Sequence, residues 1–277
     1  MKVLITCVCY NNFFDALRYI NSISKALVSA PSVKTVDLYL VNNGVAFTTT
    51  QLSKIYISDL FNVQIIENQS NNGYFPGCFV GYKKAVLNNT NYDAMLVTNV
   101  DLKVTENFFE KLVSLKSTYK EEPKIIAPSI VSLSENKDRN PKVKIRFSKK
   151  QMQKYLLLYT IPYLHLLYKK TLYKSKIKPT KSANGCSIYA PHGSFVVFLG
   201  GAKNWEDILN YPVFLFGEEI HIGEQARIHG IPVKYHQELK VIDSDHASTG
   251  KENEGFIRKH NLKAISYLYN RYWNTNV

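Results

Sequence analysis

Three features of the chain predict an α/β fold built on a mainly parallel sheet flanked by helices. Apolar, β-branched-rich runs alternate with stretches of helical periodicity through the first half, each run ends in a polar or Gly/Asn turn, and no internal repeat breaks the alternation. The 277 residues, 45% of them hydrophobic, suffice for one large domain with a substantial core and an appended segment.

Residues 2–10 read as the first strand: the opening MKVLITCVCYNN has one lysine and a short apolar run, without the apolar core and cleavage site of a signal peptide. Residues 13–28 follow as a helix with Phe14, Leu17, Ile20, Ile23 and Leu27 at helical spacing. Strands are expected at 35–41, 63–67, 94–98 and 124–128, and helices at 78–87 and 106–119, the latter with an acidic first turn that suits the helix dipole. The tail, 254–273, reads as a last helix. Cys7, Cys9, Cys78 and Cys186 are few and scattered and give neither a disulfide framework nor a metal-knuckle spacing, so a reducing cytoplasm is the expected home.

The net charge of +13 is concentrated, because residues 142–181 carry twelve Lys/Arg and no Asp or Glu, while the rest of the chain is near +1. Such a block serves nucleic acid, acidic lipid headgroups or a phosphorylated substrate, or is simply a solvated basic face. Its Leu/Tyr-rich centre, 155–168, contains Pro162 and His165 and falls short of the roughly 20 residues that a membrane span needs. An interfacial segment on anionic lipid fits it, with a helical hairpin packed inside the enzyme or a dimer as the competing reading.

Four local signals carry chemistry, and their order matters more than any one. The first strand ends in Tyr10-Asn11-Asn12 and opens a helix, and the second ends in Asn42-Asn43-Gly44. Both place hydrogen-bonding groups at the C-terminal edge of the sheet, where open α/β folds bind ligands, although ordinary turns look the same. Asn71-Asn72-Gly73 then leads into a helix containing Gly81, without the lysine and hydroxyl of a Walker loop. Asn99-Val100-Asp101 ends a further strand, and its carboxylate suits a hard divalent cation or caps a helix. Later, Glu218-Glu219 provides two carboxylates that could accept an acceptor's proton, or simply start a helix.

In this order the residues resemble the glycosyltransferase family 2 enzymes, particularly the bacterial rhamnosyltransferase-like branch that builds surface polysaccharides. The resemblance rests on Tyr10-Asn11, Asn42-Asn43-Gly44, Asn71 to Gly81, the shortened Asn99-Val100-Asp101, Phe214 to Glu219 with Arg227 and Gly230 beyond, and Asp245-His246-Ala247-Ser248-Thr249-Gly250. It implies a GT-A, Rossmann-like fold and an inverting transfer of a sugar from a nucleoside diphosphate sugar, UDP or dTDP above all, to a glycan or polyprenyl-linked acceptor. It further implies Mg²⁺ or Mn²⁺ held by Asp101 and His246, with Lys251 on phosphate. Tyr10, Asn11, Asn42, Asn43, Asn71, Asn72, Gly73 and Asn99 would bind the nucleotide. Glu219 would be the base, beside Glu218, and His192, Gly193 and Ser194 would line the sugar and acceptor side, where a packed or capping role for His192 is an equal alternative.

A single domain follows, with a nucleotide-binding half at about 1–130, an acceptor and catalytic half at about 182–252, the basic insertion at 142–181 and the C-terminal helix. The chain departs from the family pattern at Asn42 and Glu219, where Asp is usual, at Asn99 in place of a first Asp, and at His221, where an acidic residue is common. Peripheral attachment to the inner face of a bacterial plasma membrane is expected, homodimerisation is left open, and nucleic acid is not an expected partner. The rival classes are a nucleotidyltransferase, which would want a basic Gly-rich fingerprint near the N-terminus, and a nucleic-acid-binding protein using the lysines on phosphates and the tyrosines on bases.

Overall fold

A computed structural model describes residues 1–55, 58–68, 70–88, 91–120, 122–164, 182–200, 205–243 and 253–274. Nine strands form one sheet, β1 (Lys2–Cys9), β2 (Thr35–Asn42), β3 (Phe61–Glu67), β4 (Ala94–Asn99), β5 (Leu102–Val104), β6 (Lys124–Ser132), β7 (Lys137–Asp138), β8 (Phe195–Leu199) and β9 (Val233–Asp243), in the order β3-β2-β1-β4-β8-β6-β9-β5 with β7 on β6. Six of the nine run one way: β3, β2, β1 and β4 pair in parallel, and β6 and β9 resume that direction beyond the antiparallel β8. β5 and β7 are the other reversed strands.

Alternation along β1 fills both faces. Val3, Ile5, Cys7 and Cys9 enter one core with α1 (Phe13–Val28) and α4 (Phe108–Tyr119), while Leu4 and Val8 face the other with α3 (Tyr74–Asn88). The second core also takes in α5 (Lys149–Thr160), α6 (Trp205–Leu209), α7 (Glu218–Ile228) and α8 (Glu254–Tyr272). A short α2 (Thr49–Leu52) lies on the surface. The seating of α3 is tight: a Cβ at Gly81 would stand 2.3 Å from Thr6 Oγ1, whose hydroxyl donates to Cys78 O at 2.8 Å.

The expected elements are present, with informative differences at their ends. α3 begins at Tyr74 rather than 78, because Pro76 falls in its first turn, where the missing N–H costs nothing. β6 runs on past Pro128, which sits where its register with β9 shifts, the kind of irregularity at which a strand tolerates proline. β8 and β9 were not anticipated as strands; β8 is wholly buried and wedges between β4 and β6.

The basic insertion divides. Ser148 and Gln151 form a capping box that starts α5, which packs Met152, Tyr155, Leu156 and Tyr159 inward, with Gln153 donating to the Tyr269 hydroxyl at 3.0 Å. Leu157, Ile161, Tyr163, Lys149, Lys150 and Lys154 face outward. Residues 165–181, with six of the twelve cations, lie outside the described residues, and among those described no helix is long and apolar enough to cross a membrane.

Candidate active site

The parallel strands end together. Cys9 is level with Asn42, Asn42 with Glu67, and Val8 with Asn99, so the turns that follow β1, β2, β3 and β4 crowd one edge. This edge contains the switch point between β1 and β4, where a crevice opens in folds of this kind.

The asparagines of these turns are largely committed to one another. Asn42, fully buried, donates to Val45 O and Glu67 Oε2 at 2.8 Å each and accepts from the Gly44 N–H at 3.1 Å. Asn43 donates to Gly73 O at 3.0 Å and to Asn71 Oδ1 at 3.3 Å, and accepts from Asn68 at 2.9 Å. Asn71 also accepts from the Gly73 N–H. They therefore shape the rim rather than reach into the crevice. Tyr10, half exposed, Asn11, whose Oδ1 accepts from the Val45 N–H, and the exposed Asn72 remain on its surface. Gly73 has φ +91° and lies against the Phe214 carbonyl, where any Cβ would clash, which ties this loop to the segment before α7.

Asp101 follows β4. Burial and then the charge of Asp243 raise its pKa to about 6, against hydrogen bonds from its own backbone N–H and the Asn99 side chain and the field of Arg139. Asp243 comes to this place because Leu102 pairs with it between β5 and β9, and Arg139 bonds its carboxylate at 2.8 Å. Sequence reading missed Asp243. The signal was its place at the end of an apolar run, three residues before His246. Two close carboxylates in a buried setting, with the Asn99 side chain nearby, suit a hard divalent cation. Among the described residues no set of three His, Cys, Asp or Glu could hold a metal, and His246 and Lys251 lie outside them.

The turn of His192, Gly193 and Ser194 joins the two halves of the site. Ser194 O accepts the Asn99 N–H at 2.8 Å, and Gly193 O accepts the Tyr74 hydroxyl at 2.8 Å. A Cβ on Gly193 would stand 2.5 Å from Glu218 Oε1, so only glycine lets that carboxylate lie against the turn. The His192 ring accepts the Ser194 N–H on Nδ1 at 3.2 Å, and the His192 backbone N–H donates to Asn140 Oδ1 at 2.8 Å. Burial, then Lys142 and Arg139, push its pKa well below the usual value, so the ring is neutral with its proton on Nε2.

Glu218 and Glu219 begin α7 behind Gly217, a left-handed cap with φ 83° and no side-chain capping bond. Burial and the charge of Glu219 hold Glu218 well above the usual carboxylate range, against its own backbone N–H and Lys142. Glu218 thus holds its proton more tightly than an ordinary carboxylate does. His221, uninterpretable from sequence, is a core residue: its Nδ1 meets the Tyr272 hydroxyl at 2.8 Å, Tyr211 lies 4.8 Å away ring to ring, and burial first, Arg271 second, lowers its pKa to about 3.

No family model matches the chain, and no curated protein matches it. Solved structures do. The chain aligns over 99% of its length with 48% of the chain of GalNAc-T7, crystallised with UDP, GalNAc and Mn²⁺, at TM-score 0.60 and 11% identity. It thus spans about half the length of that protein. Against residues 1–349 of S. aureus TarS it aligns over 100% of its length and 74% of the other chain at TM-score 0.54 and 10% identity, and against the UDP-GlcNAc complex of that protein at 0.51 and 9%. The fold is that of the GT-A glycosyltransferases, a mixed α/β architecture with a mainly parallel sheet flanked by helices.

Proposed function

We propose that the protein is an inverting glycosyltransferase that moves a sugar from a nucleoside diphosphate sugar to a hydroxyl of a glycan or lipid-linked acceptor. The observation that carries this reading is the Gly193–Ser194 turn, which hydrogen-bonds Asn99 on one side and packs Glu218 on the other. It links the Asp101 edge, suited to a diphosphate, to a carboxylate pair suited to taking an acceptor's proton. The neighbours' ligands, UDP with Mn²⁺ and UDP-GlcNAc, support the same donor class.

In this mechanism the rim of Tyr10, Asn11 and Asn72 faces the nucleoside, and Asp101, with Asp243 and His246, would hold Mg²⁺ or Mn²⁺. That ion supplies Lewis-acid neutralisation of the departing diphosphate. Glu219 accepts the proton of the acceptor hydroxyl as the oxygen attacks the anomeric carbon from the face opposite the leaving group, and the configuration inverts. Protonated Glu218 keeps a second charge away from the base, and neutral His192 offers an N–H to the sugar. The outward Leu157, Ile161 and Tyr163 among Lys149, Lys150 and Lys154 suit an anionic membrane surface.

The test is a thermal-shift screen of UDP-, dTDP-, GDP- and CMP-sugars with and without Mn²⁺, on the wild type and on Asp101→Ala. Saturation at a hundred times Kd stabilises the native state by about 2.7 kcal/mol. A metal-dependent shift with one nucleotide class, lost in the variant, is expected; no shift with any donor would end the reading.

A further inference from the structure

Four carboxylates are accounted for by the Asp101 edge and α7, Asp101 and Asp243 with Glu218 and Glu219, but one at the same sheet edge is not. Glu67, the last residue of β3, is exposed, yet it is held in place: Oε2 accepts from Asn42 Nδ2 at 2.8 Å and Oε1 from the Phe47 N–H at 3.2 Å. Its bond to Asn42 lays it across the end of β2, which is level with Cys9 at the end of β1. Each carboxylate oxygen keeps acceptor capacity beyond the donor it already holds. Asn42, fully buried, has both amide hydrogens engaged by Val45 and Glu67 and its carbonyl by Gly44, so it presents no free donor to the crevice.

Beside Glu67 is the exposed Val45, whose carbonyl shares the Asn42 amide with it, and next to Val45 is Asn11, whose Oδ1 is taken by the Val45 N–H so that its Nδ2 remains a donor; the half-exposed Tyr10 precedes Asn11 at the end of β1. A fixed anionic acceptor, an aromatic surface and an amide donor at the mouth of the β1–β2–β3 edge match a flat heterocycle that offers one ring N–H beside a carbonyl.

We propose that Glu67 reads the nucleobase of the donor by accepting a hydrogen bond from a protonated ring nitrogen, the chemistry shared by uracil, thymine and guanine. Cytosine and adenine present a bare lone pair at the corresponding ring nitrogen and are repelled. This rests on the reading of the edge as a nucleoside diphosphate site. Asn42, where the resembling family carries its carboxylate, becomes the residue that positions Glu67 and makes no contact with the base.

The experiment titrates UDP, dTDP, GDP, CDP and ADP with Mn²⁺ by calorimetry into the wild type and Glu67→Gln, and N3-methyl-UDP into the wild type. The expected result is that one of UDP, dTDP and GDP binds more tightly than CDP and ADP by about tenfold or more, the worth of a hydrogen bond to a charged acceptor. Which of the three is preferred names the base. Glu67→Gln should erase most of that preference, partly by raising the affinity for CDP and ADP once the repelling charge is gone and an amide donor faces their ring nitrogen. N3-methyl-UDP, which removes the donor without touching the protein, keeps the test valid if the variant folds poorly, and should bind about tenfold more weakly than UDP. Equal binding of N3-methyl-UDP and UDP, or a folded Glu67→Gln that retains the preference, overturns the assignment alone. Failure of every nucleoside diphosphate to bind overturns the donor site with it.

Discussion

At Asp101, burial and the charge of Asp243 act in the same direction, so the metal-free native state holds a proton there more tightly than the unfolded chain does. The folded pKa of about 6 lies above the unfolded value of about 3.9. The stability this group contributes is therefore present below about pH 4 and lost as pH rises through about 6. Asp101→Asn should stabilise the metal-free protein at pH 8 by about 1–2 kcal/mol, a rise of some 2–8 °C in Tm, and by nothing at pH 4. The same variant should lose its thermal response to Mn²⁺. Calorimetric melts at both pH values check this, and a lower Tm at pH 8 would contradict it. At the other pole of the site, Glu219→Gln should reduce kcat by about 10²- to 10⁴-fold with donor KM little changed. Glu218→Gln mimics the protonated state that Glu218 already holds, so it should keep activity at pH 7 within about tenfold, and flatten any alkaline loss caused by a second charge on the pair. Initial rates from pH 5.5 to 9 separate the two roles.

Among the elements, α5 falls in a stretch legible as basic, aromatic and helical, but whether it met lipid or protein was left open, since its lysines and tyrosines give no clean helical stripe. Its inward face is decided by α8: Met152 is its one fully buried residue, Arg258 donates to Tyr159 O at 2.8 Å, and Trp273 donates to Phe147 O at 3.0 Å. Arg146 is not a free surface cation either, because it makes a bidentate bond to the buried Glu224 and lies 4.7 Å from the Trp273 ring. Met152→Ala should thus cost about 2–5 kcal/mol and release α5 from α8, seen as lost hydrogen-exchange protection in both helices with the sheet retained. The loop at 71–73 illustrates the reverse case. Its Asn-Asn-Gly composition announced a ligand-approaching turn, but only the fold shows Asn43 spending its amide on that loop, so that the asparagines shape the crevice.

On the scale of the whole molecule, the protein is nearly neutral outside one basic block, and that block is where exposed Leu157, Ile161 and Tyr163 are found with lysines around them. Co-sedimentation with vesicles containing anionic phospholipid should exceed that with neutral vesicles and weaken with salt, at about 1 kcal/mol per lysine engaged. Changing Lys149, Lys150 and Lys154 together to Glu should abolish most of it without altering donor binding. Equal sedimentation with both vesicle types would refute a lipid role and return nucleic acid as the partner to test.

The sequence by itself determined the alternating α/β plan, the Rossmann-like edge, the turns that end β1, β2 and β4, and the carboxylates Asp101, Glu218 and Glu219. Each of these is encoded locally, in hydrophobic period and turn chemistry. Only the tertiary structure decided that Asp243 comes beside Asp101 and Glu67 beside Asn42, that Asn42 and Asn43 are engaged in holding that edge, that His221 is core, and that the Gly193 turn meets both Tyr74 and Glu218. The physical reason is that these depend on strand register and on partners up to 142 residues away, as between Asp101 and Asp243, which no local pattern records.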